Sequence, residues 1–164
     1  MLAANTERAQ RGLLLRKRGH KRVQGVFRLR KMDRPSFEKI VARALQRLPG
    51  KFRKKLQNIV IEIEDVPPQN LLDDMGITSG TLFGLYQGVP LTEREWNFGN
   101  ALPDRIVIYQ KSIERAAVSP GEIEEIVLDT VVHEIGHYFG FDDDALYSIE
   151  EEKSRKKGKK RPAK

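Results

Sequence analysis

The sequence contains no cysteine, which excludes a disulfide framework and any thiolate nucleophile. Long apolar runs are missing too. Nothing approaches the roughly 18–20 residues of a membrane span, and the run Leu13-Leu14-Leu15 is too short for the apolar centre of a signal peptide. The expectation is a soluble, cytoplasmic protein. Histidine is scarce, at three residues, and tryptophan is represented by Trp96 alone. Gly84, Gly88 and Gly99 form no phosphate loop, because no Gly-Lys-Ser/Thr follows a strand.

Charge is present but unevenly placed. The net +7 divides into +9 over residues 1–35, −8 over residues 36–150 and +6 over residues 151–164. The expected domain is therefore acidic and flanked by basic segments: a disordered arm over 1–32, a folded domain over 33–152 and a disordered tail over 153–164. Lys/Arg-rich segments of this kind can meet nucleic acid or another anionic surface through salt-dependent, sequence-blind contacts. Phe27 is their only aromatic residue, so base stacking has little to work with.

Between the basic segments the pattern is that of a mixed α and β domain. Phe37, Ile40, Val41, Ala44, Leu45 and Leu48 repeat at helical spacing, and Pro49-Gly50 ends the run. A short helical turn is expected around Phe52 and Leu56. Strands are expected over 59–64, 81–86 and 105–109, and a loop rich in Gly, Pro and Asn over 87–103. Ser119-Pro120-Gly121-Glu122 reads as a capping box opening a helix of about twenty residues, which Gly140 ends. A last short helix is expected from Asp144 to about Glu152.

The second long helix carries the chemistry. His133 and His137, at i and i+4, project from one face, which lets two ring nitrogens meet one zinc ion at about 2.0–2.1 Å. Glu134 lies roughly 100° further round, placed to act on a metal-activated water as general base without being a ligand. A catalytic zinc takes a third protein ligand and keeps one open position. His20 is far away in the basic arm, so a carboxylate is expected. Asp143, ten residues after His133 and past the glycine that breaks the helix, stands where metzincins place their third histidine. Asp142 and Asp144 compete with it. Asp129 is a candidate for orienting a histidine, Tyr86, Tyr138 and Tyr147 for stabilising an oxyanion, and Trp96 for lining a pocket.

On His133, Glu134, His137, Gly140 and Asp143 the segment resembles the minimal zincin-like metallopeptidase family of bacteria. Supporting likeness lies in Leu82-Phe83-Gly84-Leu85-Tyr86, Gly88-Val89-Pro90-Leu91-Thr92-Glu93-Arg94 and Leu102-Pro103-Asp104-Arg105-Ile106. It spans roughly residues 33–150 and implies an α+β zincin-like core: a small mixed sheet, a backing helix and an active-site helix. The larger metzincins carry a methionine turn after the third ligand, but Met1, Met32 and Met75 all lie upstream. The expected function is zinc-dependent hydrolysis of a peptide or protein substrate, with Glu134 catalytic and His133, His137 and Asp143 holding Zn2+. Two alternatives are a zinc-binding regulatory or interaction module with little turnover, and a basic-tailed protein associated with nucleic acid.

Overall fold

The structure, a computed structural model, describes residues 10–11, 31–94 and 102–159. His20, Phe27, Trp96, most of the expected arm and residues 160–164 of the expected tail lie outside these residues.

Helix α1 (Arg34–Gln46) begins at Asp33, whose carboxylate accepts the Ser36 N–H at 2.7 Å, and it buries Phe37, Ile40, Val41 and Ala44. The short helix α2 (Gly50–Arg53) follows and leads to strand β2 (Ile59–Glu64). Helix α3 (Gln69–Asp74) then precedes strand β3 (Gly84–Gln87), which lies three residues later than the sequence pattern suggested at its start. A 3₁₀ turn over Leu91–Glu93, strand β4 (Asp104–Tyr109) and helix α4 (Gln110–Ala116) lead to the long helix α5 (Pro120–Tyr138). Helix α6 (Asp143–Lys159) closes the described chain and runs well past Glu152, into the segment read as a basic tail.

The sheet is mixed, in the order β1-β3-β4-β2, where β1 is the two-residue strand Gln10–Arg11. β2 runs parallel to β4, from Ile59 opposite Asp104 to Glu64 opposite Tyr109. β3 runs antiparallel to β4, and β1 antiparallel to β3. Alternation along β4 serves two faces, as expected for an inner strand. Ile106 and Ile108 enter the main core with α1 and α5 residues such as Phe37, Val127 and Val131. Val107 and Tyr109 enter a smaller cluster with Ile77, Leu82 and Leu85, against which Leu71, Leu72 and Met75 of the α3 region pack. Side chains such as Ile106, Ile108, Val127 and Val131 are fully buried, worth about 1.5–3 kcal/mol each.

Helix α5 is thus fixed against the sheet along its length. Ser119 caps it by accepting the Glu122 N–H, while the Glu122 carboxylate reaches back to the Val118 N–H at 2.7 Å. Near its other end the fully buried Tyr138 hydroxyl lies 3.0 Å from the Lys55 carbonyl and 3.2 Å from both the carbonyl and the N–H of Gln57. Those contacts pin the histidine-bearing turns to the segment entering β2.

Candidate metal centre

The end of α5 sets the geometry. Gly140 has φ +90°, and around it the Phe141 N–H returns to the Gly136 carbonyl while the Gly140 N–H returns to that of His137. These two bonds form a Schellman stop, which reverses the chain within three residues. A Cβ at Gly140 would lie 2.1 Å from Thr92 Oγ1, so the position also permits close approach of the loop after β3. The reversal aims the Phe141 carbonyl back at His137, whose Nδ1 lies 2.9 Å from it. Nδ1 donates that bond, leaving the Nε2 lone pair free to bind a cation.

His133 and His137 are 0% and 2% exposed, with ring centroids 4.8 Å apart. Asp143, the first residue of α6, brings Oδ1 to 3.4 Å from His133 Nε2 and 3.3 Å from His137 Nε2. Charge-assisted bonds are shorter, about 2.7–2.9 Å. Two donors each about 2.05 Å from one tetrahedral ion stand about 3.3 Å apart, the separation seen here. Among the described residues, His137 Nε2 is one of two buried side-chain nitrogens with no hydrogen-bond partner. An orphaned, buried imidazole nitrogen facing a carboxylate fits a metal ligand better than a core histidine. The three residues could hold a metal ion, their donor atoms lying within 4.8 Å of one another. The imidazoles of His133 and then His137 hold the Asp143 carboxyl well below the usual carboxylate range, so it is charged at neutral pH.

The neighbouring aspartates stand outside this cluster. Asp142 caps α6, accepting the Ala145 N–H at 2.9 Å, and Asp144 is exposed, its backbone carbonyl accepting the Ser148 hydroxyl. Asp129, one turn before His133 on α5, is exposed and takes part in interactions within the fold. Of the three tyrosines, Tyr138 and Tyr86 are buried and bonded within the fold. The half-buried Tyr147 places its ring 5.7 Å from that of His133.

Glu134 is fully buried at the sheet edge, where its Oε2 accepts the Tyr86 N–H of β3 at 2.8 Å. Gly84 permits this approach. A Cβ there would lie 2.5 Å from Thr130 Cγ2 and 3.0 Å from Glu134 Cγ. Behind it stands a buried network that the sequence did not reveal. The Tyr86 hydroxyl donates to Asp104 Oδ2 at 2.9 Å, and Arg94 pairs with the same oxygen. Arg94 also donates from Nε to the Val89 carbonyl and stacks over the Tyr138 ring at 5.1 Å. Burial, then the bond to Asp104, pushes the Tyr86 phenol far above its ordinary value, so it remains a donor.

A sequence profile described as a zincin-like metallopeptidase matches residues 56–153, which include all four of these site residues. No curated protein gives a match. A conserved hypothetical protein from Thermus thermophilus is similar in structure, at a TM-score of 0.44 and 24% identity, over 63% of this chain and 91% of that one.

Proposed function

The chain belongs to the zincin-like metallopeptidase family, and from that premise we propose that it is a zinc-dependent peptidase with Glu134 as general base and His133, His137 and Asp143 as the metal ligands. The observation that carries the reading is the placing of Asp143 Oδ1 at 3.3–3.4 Å from the Nε2 atoms of both imidazoles, one of which, that of His137, is buried without a hydrogen-bond partner. Bound there, zinc supplies Lewis acidity, lowering the pKa of water toward about 7 and polarising a scissile carbonyl. The remaining work falls to the chain. Phe141 fixes the His137 tautomer through its carbonyl, and the Tyr86 N–H orients the Glu134 carboxylate. Glu134 takes the proton of the attacking water and delivers it to the leaving amine. The outer edge of β3 holds the peptide extended by backbone pairing.

Glu134→Gln tests this directly. Gln keeps the shape and accepts the Tyr86 N–H, but it cannot take a proton. Hydrolysis of quenched fluorescent peptides should fall by about 10²–10⁴-fold while zinc content is unchanged. Equal turnover by the two proteins would rule out the mechanism. A second reading, a zinc-binding module with little turnover, draws support from the complete burial of Glu134. It predicts no change on Glu134→Gln in any measurable activity.

A further inference from the structure

The two sides of β3 do different things. The Tyr109 N–H donates to the Phe83 carbonyl at 2.8 Å, and the β3–β4 register continues from there. By antiparallel alternation, Leu85 and Gln87 turn their backbone groups to β4, and Gly84 and Tyr86 turn theirs to the opposite edge. On that edge the Tyr86 N–H meets Glu134. The same edge is where the N-terminal strand lies, with Arg11 opposite Tyr86 and Gln10 opposite Gln87, antiparallel. The arm backbone therefore runs one strand spacing, about 4.8 Å, from the residue whose amide holds Glu134.

Charge favours this placement. Residues 1–35 carry +9 and residues 36–150 carry −8. Around Gln10–Arg11 the sequence reads Arg8-Ala9-Gln10-Arg11-Gly12-Leu13-Leu14-Leu15-Arg16, basic and apolar. The exposed Asp142 and Asp144 flank the site's own Asp143. A basic strand is attracted to a domain of net negative charge and an acidic one repelled.

We propose that the arm segment at Gln10–Arg11 is a built-in occupant of the substrate edge, and that the site takes extended, basic peptides, which must displace it. This rests on the peptidase reading for the word substrate, but the occupancy itself does not. A ladder of two residues is far shorter than a typical strand of five or six, so it yields readily to a longer peptide. Being tethered, it competes as though present at about millimolar concentration. Substrates that pair weakly, or that carry acidic side chains, are excluded by that competition.

The absence of native cysteine makes the test clean. In the full-length, zinc-loaded chain, Gln10→Cys with Gln87→Cys places two thiols on directly paired residues, within reach of a disulfide. The loss of the Gln87 side-chain bond to Arg105 is common to both redox forms, so comparing them isolates the lock. The disulfide should form in high yield under mild oxidation, read by intact mass. Locking should then weaken binding of a fluorescent peptide of residues 6–16 at least tenfold, read by anisotropy, and slow cleavage of Lys/Arg-flanked quenched peptides by a similar factor. Reduction with a phosphine should restore both. Failure of the disulfide to form overturns the proposal, as does equal peptide binding by locked and reduced protein, or binding by neither at millimolar peptide. If binding responds to the lock and neither form cleaves any peptide, occupancy of the edge stands and the peptidase reading falls.

Discussion

At the scale of single residues, His133, Glu134 and His137 are legible in the sequence because their relation is local, four positions on one helix. Asp143 is legible as an offset past a glycine. What separates it from its neighbours is the capping of α6 by Asp142, a detail of backbone direction that spacing does not carry. The Tyr86–Asp104–Arg94 network was not legible, because it joins a strand, a strand start and a loop distant in sequence. The same holds for Glu134 and Tyr86, separated by 48 positions. Gly84 marks that contact most sharply. Gly84→Ala should destabilise the chain by about 1–3 kcal/mol, through overpacking against Thr130 and Glu134. It should also reduce turnover more than zinc content, since Glu134 and not the ligands is displaced. Urea denaturation and metal analysis of the variant read the two effects separately.

At the scale of elements, α1, β2, β4 and α5 emerge where the sequence places them, because each combines a clear period with a cap or breaker. α3 and α4 do not announce themselves. They are six and seven residues long and begin without a side-chain cap, so neither period nor cap has room to register. Helix α6 outruns its expected end. Glu151 and Arg155, and Glu152 and Lys156, stand at i and i+4, a spacing that supports a helix through a segment whose composition reads as a tail. The stop of α5 is the element on which the candidate metal centre depends. Gly140→Ala forces a left-handed backbone on a residue with a Cβ and drives that Cβ into Thr92. A cost of about 1–2 kcal/mol is expected from the backbone alone. Zinc affinity should fall as well, because the Phe141 carbonyl loses its aim at His137 Nδ1. Competition with a fluorescent zinc chelator measures that loss, and unchanged affinity would separate the Schellman stop from the site.

At the scale of the whole molecule, the separation of charge along the chain is plain from the sequence, and it matters because Gln10–Arg11, within the basic N-terminal stretch, pairs with β3. Among the described residues no helix is long and apolar enough to cross a membrane. The main core joins α1, the sheet and α5, so the candidate metal centre sits at the end of a helix packed into that core, and its three residues come together only when that packing forms. Zinc should therefore act as a folding ligand. At one hundred times its Kd it adds about 2.7 kcal/mol to stability. The most direct test of the central claim is zinc per chain, measured by elemental analysis beside the thermal midpoint, for the wild-type protein and for His137→Ala. Close to one zinc per wild-type chain is expected, with a midpoint lowered by chelator. His137→Ala should hold little zinc and show a midpoint indifferent to chelator. A wild-type chain that takes up no zinc, or a His137→Ala chain that keeps it in full, would contradict the account.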